Sequence, residues 1–381
     1  MSGRILVLEP SKVGNQHITL IDRYLEAIRA GAEGPVEFWC AASLWAHVDS
    51  DLKPGLRHRR VPVIDPSRRR FLAKIPLEVL VTLWAILRKR REDVLLITCL
   101  FSPALFLVEW ACRLLRPHNV HVVLHGELEA LVDPTISPKI TGFGYWCRKW
   151  WAQRSENSRL GLVCIAPFIR ARLLALPSAR LRADRVQVLT MPINTPADTQ
   201  STGDRAQRPR PKVCFVGYRS RMKGFDIFQR LAAARPEFDW LAIGGGFVEN
   251  LSQGDKTPLE RTEDFRAAIS DCDIALYPYE AGYDLSMSAA VLDAISAGVH
   301  VLASPRGCFL ALSEELGTEI IQCHDGVEAL NAALDQWLAK GVRADYRQRI
   351  ARSGFGQASL NAQMQAFLNP SSLSGEMEAA R

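Results

Sequence analysis

The stretch Phe215-Val216-Gly217-Tyr218-Arg219-Ser220-Arg221-Met222-Lys223-Gly224 ends an apolar run in a glycine and then places three cations within five residues. Gly217 would let a ligand approach the backbone closely. Behind it, an arginine fork and a lysine point charge suit the paired phosphates of a diphosphate. A solvated basic turn is the plain alternative. A second stretch runs from Leu276 through a loop carrying Glu280 and Asp284 into a helix that opens near Ser288 and ends at Gly298. Ser288 is a good N-cap residue, and the amides of a helix start favour a phosphate. Asp293 lies about one and a half turns in, where its carboxylate could accept hydrogen bonds from a ribose. The alternative is a capping serine and an acid facing water. A third stretch, Val122 to Glu129, sets His125-Gly126 at the end of an apolar run, with Glu127 just beyond. A glycine-containing loop, Lys12-Val13-Gly14-Asn15-Gln16-His17, follows the first apolar run.

These loops need elements to hold them. The chain alternates short β-branched runs with helical patterns: strands at Ile5–Leu8, Val36–Cys40, Val94–Thr98, Val120–Leu124, Gly161–Ile165 and Val186–Leu189, with helices between them. Residues 194–211 carry Pro196, Gly203, Pro209 and Pro211 among polar residues and read as a linker. The pattern then resumes with strands near Val213–Val216, Trp240–Ile243, Ile274–Tyr277, Val299–Ala303 and Ile320–Cys323. Such alternation predicts parallel sheets covered by helices, in two doubly wound α/β domains. In such sheets ligands bind beyond the carboxyl ends of the strands, where the reactive stretches lie. The expected division is a first domain over 1–193, a linker over 194–211, a second domain over 212–368 and a disordered tail over 369–381.

With 381 residues, 48% hydrophobic and 23% charged, the chain is ordinary for two folded domains and is not disordered. Residues 1–200 hold 28 Lys+Arg and 18 Asp+Glu, a balance of +10; the remainder holds 19 and 23, a balance of −4. The basic excess in the first half calls for an anionic partner. Nine cysteines stand singly without a C-x-x-C pair, which predicts reduced, buried thiols and no zinc site. No apolar stretch is long enough to span a membrane, and the start, which runs almost at once into a strand-like stretch, is expected to lack a signal peptide.

The second half resembles the donor domain of GT-B glycosyltransferases, most like glycosyltransferase family 4 and its bacterial polysaccharide relatives. The resemblance rests on Gly217-Tyr218-Arg219 followed by Lys223-Gly224, on Gly244-Gly245-Gly246 after the next strand, and on the run Val291 to Ser304. It implies an α/β GT-B fold, two Rossmann-like doubly wound domains facing across a cleft. It further implies transfer of a sugar from a nucleotide-diphosphate donor, with no metal and no cofactor. Arg219 and Lys223 would then neutralise the diphosphate, and Gly217 and amides around Ser288 would complete its site. Asp293 would hold the ribose. Glu280 would touch the donor sugar, with Asp284 as rival, because twelve residues separate Glu280 from Asp293 where the family has seven. His125 would sit near the donor sugar and diphosphate, with Gly14 under the phosphates. Glu127 would be a base for the acceptor hydroxyl in an inverting enzyme; a retaining one needs none.

Two segments suggest a membrane surface. Arg68-Arg69-Arg70 and Arg88-Lys89-Arg90-Arg91 flank an apolar helix. Phe143 to Arg154 mixes Trp146, Trp150 and Trp151 with basic residues. The resulting expectation is a cytoplasmic hexosyl-type glycosyltransferase, peripheral at the inner face of the cytoplasmic membrane, with a lipid-linked surface-polysaccharide glycan as acceptor and no nucleic-acid partner. The alternatives are a nucleotide-sugar epimerase and a degenerate GT-B scaffold protein.

Overall fold

The apolar runs of the first half become strands buried on both faces, as parallel strands must be when helices cover them. In the computed structural model, which describes residues 3–65, 71–177, 181–194, 209–340 and 345–369, two units separate. One runs to Pro192 and takes in Gln357 onward; the other is Ile193–Gly356.

The first unit opens with β1 (Ile5–Leu8), α1 (Ile18–Gly31), β2 (Val36–Cys40), α2 (Ala42–His47) and β3 (Leu56–Arg60). It continues with α3 (Phe71–Arg88), β4 (Val94–Ile97), α4 (Ser102–Leu115), β5 (Val120–Leu124) and α5 (Phe143–Gln153). β6 (Leu160–Cys164), α6 (Pro167–Ala175) and β7 (Val186–Val188) follow. Its sheet has the order β3-β2-β1-β4-β5-β6-β7, with every pair parallel. β3 reads Leu-Arg-His-Arg-Arg and gives no apolar signal; at the sheet edge two of its side chains, His58 and Arg59, lie on aromatic faces. The Arg59 guanidinium lies 4.5 Å from the Trp39 ring centre and 4.3 Å from that of Trp84, and His58 stacks on Trp45.

The second unit holds β8 (Lys212–Val216), α7 (Phe225–Ala234), β9 (Asp239–Gly244), β10 (Phe247–Asn250), β11 (Asp255–Pro258) and α8 (Thr262–Ser270). After these come β12 (Ile274–Tyr277), α9 (Ala289–Ser296), β13 (His300–Ala303) and α10 (Gly307–Leu316). The unit closes with β14 (Ile321–Cys323), α11 (Gly326–Lys340) and α12 (Tyr346–Arg352). Its sheet runs β11-β10-β9-β8-β12-β13-β14, parallel from β9 to β14. β10 and β11 are antiparallel additions that the alternation did not predict. Gly245 and Gly246, at φ +67° and +85°, form the two-residue turn that folds β10 back on β9.

Three expectations change. The last helix, α13 (Gln357–Leu368), belongs to the first unit and not to a second domain ending at 368. It is tied there by Gln363, whose Oε1 accepts from the Thr190 amide at 2.7 Å, and by Phe367, edge-on to His121 at 4.7 Å. Trp150 and Trp151 are buried, and the Trp150 indole donates to Glu109, so neither is a membrane anchor. The helix between the basic flanks, α3, buries Lys74 and Glu78 and is packed on one side. Most of the 194–211 linker, the tail beyond Asn369, and Arg68, Arg69 and Arg70 lie outside the described residues. All nine cysteines are unpaired thiols, eight of them buried. Among the described residues no helix is long and apolar enough to cross a membrane.

Candidate functional site

β8 ends at Gly217, whose φ of +117° few L side chains adopt. Its amide donates to the Ile243 carbonyl at 2.8 Å, and its own carbonyl lies 2.5 Å from where a Cβ on Gly244 would stand. Two strand ends therefore meet without side chains between them. Beyond, a 3₁₀ turn (Arg221–Lys223) is closed by Gly224 at φ +63°. A Cβ there would sit 1.8 Å from the Pro278 carbonyl oxygen, so only glycine fits. The close approach docks this turn on the loop after β12, where the Glu280 amide donates to the Met222 carbonyl at 3.0 Å.

This docking fixes Lys223. Its ammonium lies 3.4 Å from the Cβ position of Gly217, which is itself 3.7 Å from the Ala290 Cβ in the first turn of α9. The rings of Tyr279 and Tyr283 flank the ammonium at 5.5 and 5.7 Å. No carboxylate pairs with it among the described residues, and burial alone pulls its pKa below the usual lysine value. Ser288 holds the N-cap position of α9, but its hydroxyl does not bond the first-turn amides; it is buried beside the Tyr279 phenol. The helix start is thus left with donors its own cap does not satisfy. A glycine backbone, a cation without a counter-ion and an uncapped helix start converge in one place. Such a place suits an anionic group such as a phosphate.

Asp293 stands one turn below Ala289 on α9 and makes no side-chain hydrogen bond among the described residues. Burial raises its pKa to about 6, with Arg266 pulling the other way. The two acids of the preceding loop separate cleanly. Asp284 accepts from the Gly307 amide at 3.0 Å and so caps α10. Glu280 leaves its carboxylate exposed, while its carbonyl takes the Arg306 guanidinium.

Arg219 departs from the sequence expectation. Its guanidinium pairs with Glu249 of β10, donates to the Ala242 carbonyl at 3.2 Å and lies 4.7 Å from the centre of the Phe247 ring. Its charge is matched within the β9–β10 hairpin, so it braces that hairpin. Arg221, exposed and in no ion pair among the described residues, is the cation left beside Lys223. The alternation of strand and helix gave no hint of the hairpin, and hence none of Glu249. Tyr279 and Tyr283 were also missed; their signal was the tyrosine spacing just past a strand end.

The corresponding loops of the first unit meet at the carboxyl ends of β1, β4 and β5. Glu9 is buried and accepts from the amides of Ser11 and Lys12 at 2.9 and 3.0 Å and from the Thr98 hydroxyl at 2.7 Å. Burial outweighs these bonds and raises its pKa to about 7. Glu78 accepts from the Ser11 hydroxyl and the Phe101 amide, and Lys74 donates to the Ser11 carbonyl. This network, invisible in the spacing, pins the loop that carries Gly14. Gly14 has φ +60° and nothing within 4 Å of its Cβ position, so its need for glycine is conformational.

The His125 Nε2 donates to the Thr98 carbonyl at 2.7 Å, and burial lowers the ring's pKa. With Nε2 donating to that carbonyl, Nδ1 is the ring nitrogen that can accept a hydrogen bond. Glu127 turns its Oε1 onto the His125 amide at 3.0 Å. His17, its ring 5.0 Å from that of His125, has its pKa lowered to about 2, chiefly by burial. His17, Cys99 and His125 offer ligand atoms all within 4.8 Å of one another, two imidazoles and a thiol that suit a soft metal ion.

Neither a family model nor a curated protein matches the chain in sequence. Solved structures do match its fold. Sucrose-phosphate synthase from Thermosynechococcus elongatus superposes with a TM-score of 0.65 at 17% identity, covering 100% of each chain. Anabaena HepE in complex with UDP and glucose does so with a TM-score of 0.62 at 14% identity, over 96% of this chain and 99% of that one. A putative UDP-N-acetylglucosamine 2-epimerase from Listeria monocytogenes reaches 0.57 at 10% identity, over 98% of each. The chain has the GT-B fold.

Proposed function

We propose that the protein is a glycosyltransferase that binds a nucleoside-diphosphate sugar in its second unit. The observation that carries this is the Lys223 ammonium, half-buried without a counter-ion between Gly217 and the uncapped start of α9. The fold is shared with HepE, whose structures hold UDP, UDP with glucose, or UDP-glucose. In this reading Lys223, Arg221 and the α9 amides stabilise the charge that develops as the sugar–phosphate bond breaks. Asp293 accepts from the ribose, and Glu280 from the donor sugar. His125 accepts from a sugar hydroxyl through Nδ1.

The course proposed is retaining. Glu127, the base an inverting course would need, is turned onto the His125 amide. The C1–oxygen bond breaks with its electron pair going to the diphosphate. The acceptor oxygen bonds to C1 from the same face, and its proton passes to the leaving phosphate oxygen. The acceptor proposed is a lipid-linked glycan of surface polysaccharide synthesis. Product analysis tests the whole reading. A glycosylated acceptor with retained anomeric configuration supports it, whereas an epimerised nucleotide sugar formed without acceptor favours the rival activity, whose fold is also shared. Nucleotide binding without turnover on any acceptor would leave a scaffold protein.

A further inference from the structure

In a parallel sheet with covering helices, every residue just ahead of a strand lies at the same pole, opposite the carboxyl ends that carry the site. Arg88, Lys89, Arg90 and Arg91 precede β4; Arg113 and Arg116 precede β5; Arg159 precedes β6; Arg182 and Arg185 precede β7. These four strands are consecutive in the first unit's sheet, so the cations span about 15 Å of one edge. Five of them, Arg113, Arg116, Arg159, Arg182 and Arg185, line a cavity of about 460 Å³ whose one acid is Glu156. Arg182 is matched by Asp184 and Arg113 by Glu109. Arg116, Arg159 and Arg185 have no carboxylate within ion-pair reach among the described residues.

The cavity adjoins bare hydrocarbon. On α4, Leu107, Trp110 and Leu114 fall on one face, with Trp110 55% and Leu114 68% exposed, and Leu115 follows beside Arg116. On the neighbouring α3, Leu80 and Leu87 fall on one face, with Leu87 68% exposed just ahead of Arg88. A soluble phosphate would account for the arginines but not for leucines beside them. An amphiphile with an anionic head accounts for both.

We propose that this pole seats the first unit on an anionic phospholipid surface, with the arginine cavity taking a headgroup phosphate and Leu87, Leu114 and Leu115 entering the acyl boundary. This goes beyond the proposed function: the pole lies opposite the strand ends that carry the site, so the contact localises the first unit on a membrane and is not the place where an acceptor reacts. It moves the contact from the buried Trp150 and Trp151 to the ends of α3 and α4.

The test is co-sedimentation of the full chain with phosphatidylcholine vesicles, with and without phosphatidylglycerol. The wild type should pellet only with the anionic vesicles, less as salt rises. Arg116→Gln with Arg159→Gln and Arg185→Gln should lower the partition coefficient about a hundredfold, at about fivefold per charge. Leu87→Asn with Leu114→Asn should lower it at every ionic strength. Arg159→Gln alone, at an exposed position, should still give about a fivefold loss if the triple variant folds poorly. Equal pelleting with both vesicles, or undiminished binding by the variants, would overturn the proposal. Thermal stabilisation of the wild type by inorganic phosphate alone, lost in the triple variant and unaccompanied by vesicle binding, would reassign the cavity to a soluble anion. Stabilisation by UDP, read in the same samples, reports on the donor site separately, so each reading can fail by itself.

Discussion

Replacing Lys223 by Met should strip the nucleotide response while leaving the fold intact. The side chain is half-buried, its ammonium has no ion-pair partner among the described residues, and burial holds its pKa down. Without ligand the buried charge therefore costs stability, offset only in part by the Tyr279 and Tyr283 rings. A structural lysine would behave in the opposite way. With ligand, a charge-assisted contact contributes about 1.5–3 kcal/mol, or about ten- to a hundredfold in Kd. At a nucleoside diphosphate concentration of 100 times the wild-type Kd, the wild type gains about 2.7 kcal/mol. In the variant the same concentration stands at about 1 to 10 times Kd, and the gain falls to about 0.4–1.4 kcal/mol. The assay is thermal or denaturant unfolding with and without UDP, GDP and ADP. Lys223→Arg, which keeps the charge, should retain part of the gain. The reasoning is refuted if Lys223→Met gains as much as the wild type from the nucleotide that stabilises it best, or if the variant without ligand is less stable by more than about 1 kcal/mol.

Asp293→Asn should give a second dissociation of stability from binding. The carboxyl's pKa is about 6 in the fold against 3.8 in the unfolded chain. The folded state thus holds the proton more tightly, and the group's contribution falls as pH rises from about 4 to about 6, staying low above that. Unfolding across pH 4–8 should show the asparagine variant flatter and more stable at neutrality, by up to about 3 kcal/mol, while its Michaelis constant for the donor rises. Arg219→Ala should cost stability more than nucleotide affinity, and Glu249→Ala should cost similarly, since the two form one pair; a double-mutant cycle on unfolding energies reads the coupling. Asp284→Ala should lose about 1 kcal/mol with the α10 cap, whereas Glu280→Ala should leave unfolding unchanged and lower turnover. A stable Asp284→Ala beside an unstable Glu280→Ala would reverse the two assignments.

The strands were legible where both faces are buried, because Ile5–Leu8, Val213–Val216 and Ile274–Tyr277 are unbroken apolar runs. Lone edge elements were not. β3 is four-fifths polar and stands on aromatic faces supplied by Trp39, Trp45 and Trp84, which no local pattern encodes. The β10–β11 hairpin was signalled only by a double glycine that also reads as a loop before a helix. At the site, glycines were the most legible residues, since Gly217 and Gly224 answer steric demands local to the turn. The cations were the least. Arg219 and Lys223 stand four residues apart and look equivalent, yet a strand from elsewhere in the sheet brings Glu249 to one of them only. α13 was misassigned for a related reason: its partners, Thr190 and His121, lie far back in the chain.

Pairing therefore says more than charge about what each cation is for. Arg4 is held by Asp93 and Glu37, Arg154 by Glu109, Arg235 by Glu237 and Asp335, and Arg219 by Glu249. Each of these joins segments within its own unit, and the fold accounts for it fully. Breaking such a pair strands a charge and is costly. Lys223, just past a strand end of the second unit, and Arg116, Arg159 and Arg185, ahead of the strands of the first unit, have no such partner among the described residues. Keeping cations together without counter-ions is unfavourable unless an anion joins them. The basic excess of the first 200 residues is thus resolved by position. Paired members such as Arg4 and Arg154 belong to the architecture, whereas Arg116, Arg159 and Arg185 sit near exposed leucines at one pole, where a polyanionic surface would satisfy the charge and the hydrocarbon together.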